Sequence, residues 1–147
     1  RFYRHFVVEG KQAVSAGVSY SGEAVGPGRF GLYVSPRPGV TLAETEQSVE
    51  ALMAEVMRTG LETDEVERAK ERIIAGAVYA RDSLGGGARA LGAALAIGLL
   101  VDDVEEWPER IRAVTIDDVN AALRAVIDPD RSVTAELLPA GAEDGKV

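Results

Sequence analysis

Few side chains in this sequence could do chemistry. His5 is the only histidine, so a serine-type triad would have to use it, and it falls among aromatic residues in a helical pattern rather than beside a nucleophile on a loop. A catalytic zinc needs two or three convergent ligands. With one His and no Cys, both His-x-x-Glu-His orders, thiolate zinc, iron–sulfur clusters, disulfides and a thiol nucleophile are all excluded. The triplet Gly85-Gly86-Gly87 lacks the Lys-Ser/Thr and the preceding strand of a phosphate cradle and reads as a joint between helices. Glu62, Asp64, Glu65, Glu67 and Glu71 could hold a cation or a basic peptide, yet the interspersed Arg68, Lys70 and Arg72 make an ordinary solvated helix face. Trp107 and Tyr20 read as core or rim. The chain is therefore expected to contribute no catalytic residue and no metal ligand of its own.

The elements that would position any site follow from hydrophobic spacing. Phe2, Phe6 and Val7 over Arg1 to Gly10 are at helical spacing, closed by a glycine. Gln12 to Gly22 alternates, with Val14, Ala16, Val18 and Tyr20 on one side, and Arg29 to Pro36 alternates again, so two strands are expected to pair antiparallel. Gly26-Pro27-Gly28 turns the chain between them, and Pro36-Arg37-Pro38-Gly39 ends the second. Thr41 and Glu44 form a capping box for a helix whose stripe is Val49, Leu52, Met53, Val56 and Met57, with Gly60 as its glycine cap. Thr63 starts the next helix, with Val66, Ala69, Ile73 and Ala77 as the buried stripe, Ile74 as an alternative member, and Asp64 paired to Arg68.

Asp82-Ser83 and the glycine triplet break that helix. Ala88 to Leu100 then reads as a largely buried helix stopped by Asp102-Asp103. A short helix over Val104 to Val114 carries Pro108 in its first turn, and Thr115 caps another with Val119, Ala122, Leu123 and Val126 facing in, ended by Asp128-Pro129-Asp130. Ser132 to Leu138 alternates as a last strand, and residues 140–147 make a loose polar tail. Helix, two strands, a run of helices and one strand make an α+β class with an antiparallel sheet, in one domain over residues 1–139.

Composition agrees. The 147 residues are 46% hydrophobic with a net charge of −8, and a chain of this length buries roughly 70% of the surface that its unfolded form exposes, so it needs neither disulfides nor a structural metal. A net acidic chain without a basic stripe is a poor nucleic-acid binder. The longest uncharged apolar run, Ala90 to Val101, is far short of the about 20 residues that span a bilayer. Three strands are few for so many helices, and the first helix has no start signal, as expected of part of something larger.

Taken in order, RFYRHFVVEGKQAVSAGVSY, GRFGLYVSPRPGVTLAETEQSVEALMAEVMRTGLETDEVERAKERI and AVTIDDVNAALRAVIDPDRSVTAELLP resemble the C-terminal, non-catalytic domain of the pitrilysin and insulinase family of zinc metallopeptidases, in its bacterial, processing-peptidase-like branch. The resemblance covers Arg1 to Pro139. It implies an inert half that faces a zinc-bearing half of the same fold across a chamber for extended peptides, with further strands and a helix upstream of Arg1. Many members place an Arg and, seven residues on, a Tyr at the end of this first helix and the start of the strand, where they contact substrate near the zinc; the aligned positions here are Val7 and Val14.

The expected partners are thus a catalytic domain or a partner subunit of the same fold, which would hold the zinc, and an extended peptide. A non-enzymatic scaffold or inactive partner subunit of the same fold is the alternative, and a free-standing peptide-holding module a third. The compartment stays open between bacterial periplasm and cytoplasm, the periplasm favoured by bacterial relatives.

Overall fold

The computed structural model describes residues 1–22, 24–81 and 85–138, Arg81 by its backbone alone. Asp82-Ser83, Pro139 and the tail 140–147 lie outside them. The chain divides into two compact units, one of Arg1–Tyr20, Arg29–Thr59 and the residues from Val126 onward, the other of Ser21–Gly28 and Gly60–Ala125.

In the first unit the opening helix is a π-helix, Arg4–Glu9, and Phe6 is fully buried, its ring 4.8 Å from that of Phe2. Strands β1 (Ala13–Ser21) and β2 (Arg29–Pro36) form the two-stranded antiparallel sheet. The Ser19 hydroxyl donates to the Gly31 carbonyl (3.5 Å) and the Tyr33 ring lies where a Cβ on Gly17 would stand, so these four share one face. By the period of two, Val14, Ala16, Val18 and Tyr20 share the other. The turn after β2 needs its glycine: Val40 N–H donates to the Arg37 carbonyl (3.0 Å) across Pro38 and Gly39, and Gly39 has φ +93°, as position i+2 of a type II turn requires.

Helix α1 (Leu42–Thr59) starts at the expected capping box, with Thr41 N–H donating to Glu44 Oε2 (2.8 Å) and Glu44 N–H to Thr41 Oγ1 (3.2 Å). It packs on β2. Leu52 and Val56 are buried, Val49, Met53 and Met57 half-buried, so the expected stripe faces the unit's interior, and Gly60 ends it at φ +74°.

The second unit is helical. Helix α2 (Thr63–Arg81) lies against α3 (Gly86–Ala96) and α5 (Trp107–Ala113), and α3 against α4 (Val101–Glu105). Helix α6 (Ile116–Val126) is capped as expected, Thr115 N–H donating to Asp118 Oδ2 (2.9 Å) and Asp118 N–H to Thr115 Oγ1 (3.2 Å). Val66 and Ala94 are this unit's buried residues among those described. Lys70 lays its nearly buried side chain along α2 to reach the Val114 carbonyl (2.9 Å) and Glu67 (2.9 Å). The Asn120 side chain accepts from Leu61 N–H (2.9 Å).

Several expectations are corrected. Ile73 is 46% exposed and Ile74 is half-buried instead, so the inner stripe runs through buried Val66 and half-buried Ala69, Lys70, Ile74 and Ala77, with Lys70 reaching the Val114 carbonyl. Of the Ala/Leu-rich α3 only Ala94 is buried; the helix ends at Gly98 (φ +87°), where Gly98 N–H meets the Leu95 carbonyl and Leu99 N–H the Ala94 carbonyl. Asp103 then opens α4 rather than stopping α3, its carboxylate accepting from Leu100 N–H (2.9 Å), and Pro108 sits in the first turn of the separate α5. In α6, Val119 and Leu123 are half-buried while Ala122 and Val126 are exposed.

Residues Ser132 to Leu138 form no strand, and Val133 and Leu137 are 94% and 91% exposed. Alternation suits a strand, but only a neighbouring backbone makes one, and among the described residues β1 and β2 pair only with each other.

Candidate functional site

The two positions singled out by the family resemblance flank one corner of the first unit, where the π-helix passes into β1. A π turn closes i→i−5 hydrogen bonds, and the last is Gly10 N–H to the His5 carbonyl (2.8 Å). A Cβ at position 10 would stand 2.6 Å from that same oxygen, which is why glycine ends the turn. Gly10 itself keeps right-handed φ (−72°); the left-handed residue is Lys11 (φ +49°), the sole non-glycine with positive φ among those described. Gln12 N–H then reaches back to the Phe6 carbonyl (2.9 Å), and β2 closes the corner from the other side: Arg37 N–H donates to the Gln12 carbonyl (3.0 Å) and Arg37 Nη1 to the Lys11 carbonyl (3.1 Å).

On this corner Val7 is half-buried and Val14 is 59% exposed. Neither carries a hydrogen-bond donor beyond its backbone, so the pair can offer shape and apolar contact but cannot fork onto a carbonyl or stabilise an oxyanion. Beyond it, Val18, Tyr20 (70% exposed) and Phe30 continue an exposed apolar strip on the ribbon. Each strand pairs on one side only among the described residues. His5 stacks edge-on against Phe6, ring centroids 4.9 Å apart, a packing role.

The carboxylates with perturbed acidity all sit at helix caps or turns. Glu44 is lowered by the backbone and hydroxyl of Thr41; Asp118 by the hydroxyl and backbone of Thr115; Asp103 by the backbone of Leu100 and then Arg110; Asp128 by Arg131 and then the backbone of Asp130. In each the local hydrogen bonds favour the ionised form, the opposite of what holds a carboxyl neutral for acid–base work. Among the described residues no three His, Cys, Asp or Glu converge as a metal site. The family resemblance singles out Val7 and Val14; the contact of Arg37 with Lys11 at the same corner was not read from the sequence, because it joins residues far apart in the chain.

No family model and no curated protein matches the chain significantly. Solved structures do. It superposes on the inactive peptidase domain of a candidate zinc protease from Bordetella parapertussis with a TM-score of 0.74 at 19% identity, covering 92% of this chain and 74% of that one. The chain has the fold of that inactive domain. It also matches a candidate zinc protease from Bordetella pertussis Tohama I with a TM-score of 0.69 at 21% identity, over 80% of this chain, and spans 64% of that protein's length.

Proposed function

We propose that this chain, as one domain running to residue 139, is the non-catalytic C-terminal domain of a zinc metalloendopeptidase of the pitrilysin and insulinase type, walling a peptide chamber and packing on the catalytic domain. The observation that carries the reading is the shared fold with an inactive peptidase domain, in a chain that has one histidine and no cysteine to offer a catalytic zinc. The metal and its activated water belong to the catalytic domain of the parent or of a partner subunit. This chain's share is to enclose and align: the free strand edge pairs with an extended peptide backbone, and the apolar strip around Val14 and Tyr20 lies beside it.

Val7 and Val14 favour a second form of the same reading, an inactive partner subunit or scaffold, since two valines supply no donor to a peptide carbonyl. The test is to assay the parent peptidase with and without its partner and then to introduce Val7→Arg and Val14→Tyr together. Partner-dependent activity that the double variant raises in the lone parent is expected. Full activity of the lone parent, unaffected by any partner, would show that these positions are not the missing donors.

A further inference from the structure

We propose that Arg37 is a positioning residue that latches the corner between the π-helix and β1, and so sets the register of β1. A π turn takes up one residue more than an α turn. If the Arg4–Glu9 turn relaxed to i→i−4 bonding, one residue would pass into the strand, and a one-residue slip turns every β1 side chain to the opposite face. Ala13, buried in this register, and the exposed Val14 would exchange environments, and Val7 would turn about the helix axis by roughly 100°.

Relaxation is favoured locally, because it would free Lys11 from its left-handed conformation (φ +49°), which side chains other than Gly, Asn and Asp rarely adopt. Two features oppose it. Gly10, without a Cβ, lets the His5 carbonyl close the π turn. Arg37 grips both carbonyls that follow, Lys11 with its guanidinium (3.1 Å) and Gln12 with its backbone N–H (3.0 Å). Because Arg37 is itself fixed by the type II turn at Pro38-Gly39, with Val40 N–H on its carbonyl, the grip is anchored on the partner strand rather than on the helix. The importance of this register for peptide contact rests on the reading above; the latch itself does not.

The chain has no cysteine, so single thiols report cleanly. In the full chain, the thiol of Val14→Cys should react quickly with a maleimide and that of Ala13→Cys slowly. Adding Arg37→Ala should raise labelling at position 13 by about tenfold relative to position 14 while the helical circular dichroism is retained. Lys11→Gly, which removes the left-handed penalty, should reverse much of that rise, and Arg37→Lys, which keeps a cationic donor, should stay near the parent ratio. If Arg37→Ala does not fold, Arg37→Met, which keeps the aliphatic stem and no donor, carries the same measurement. An unchanged ratio in the folded variant, or an equal rise at both positions, would overturn the latch. Failure of the unsubstituted chain to bind an extended peptide, with the labelling ratio shifting as expected in Arg37→Ala, would instead count against the peptide reading alone.

Discussion

Leu52→Ala tests how the first unit is held together. Leu52 is 5% exposed on the face of α1 that packs toward β2, with buried Val56 one turn on and half-buried Val49 and Met53 beside it. Removing its isopropyl end forfeits about 2 kcal/mol of transfer free energy, and the cavity left behind raises the total toward about 3 kcal/mol within the 2–5 kcal/mol span of such truncations. Met53, unbranched and only half-buried, can lean into part of the space, which places the effect in the lower half of that span. For a chain of this size, 3 kcal/mol corresponds to a fall of roughly 6–12 °C in melting midpoint. Glu50→Ala, on the exposed side of the same helix, should stay within about 0.5 kcal/mol. Paired urea and thermal melts followed by far-ultraviolet circular dichroism decide it. An unchanged midpoint for Leu52→Ala together with a lowered one for Glu50→Ala would mean that the facing of α1 is wrong.

Two further outcomes are expected. Glu44, Asp103, Asp118 and Asp128 are all lowered in the folded chain from ordinary values of 4.5 for Glu and 3.8 for Asp, so their contribution is complete above those values and lost as pH falls through them toward the folded ones. The midpoint should be flat above about pH 5.5 and drop in acid, less steeply in Glu44→Gln and Asp118→Asn; a midpoint that rises on acidification would contradict the capping assignment. Gly60→Ala should destabilise by about 1–2 kcal/mol, because φ is +74° and the new Cβ would stand 3.0 Å from Asn120 Oδ1. Gly76→Ala, in α2 with nothing within 4 Å of the new methyl, should stabilise by about 0.5–1 kcal/mol, and equal effects of the two changes in thermal melts would undo the argument.

What the sequence made legible was local. The Thr41/Glu44 and Thr115/Asp118 boxes and the Pro38-Gly39 turn each depend on residues within three or four positions of one another, and each formed as expected. The limits of β1 and β2 were readable from alternation for the same reason. What failed was set at a distance. Ile73 and Ile74 exchange roles on a helix whose Lys70 reaches Val114, 44 residues on. The Ala/Leu content of α3 describes what the helix could bury, not what stands against it. Ser132 to Leu138 has a strand's pattern, and among the described residues no strand pairs with it. At the candidate site, Val7 and Val14 came from resemblance to a family pattern, whereas the grip of Arg37 on Lys11 joins residues 26 positions apart and had no local trace.

The proposal that this chain is the inert half of a peptidase is tested most directly by reconstitution. The chain, dialysed against chelator and then offered zinc, is assayed on an extended peptide alone, and then mixed with the zinc-bearing domain of its parent or partner, with metal content measured on each. No hydrolysis and no stoichiometric zinc in the chain alone, with activity of the zinc-bearing domain raised on mixing, is the predicted result. Stoichiometric zinc held through His5 and nearby carboxylates with peptide cleavage by the chain alone, or full activity of the zinc-bearing domain unaffected by its addition, would contradict it.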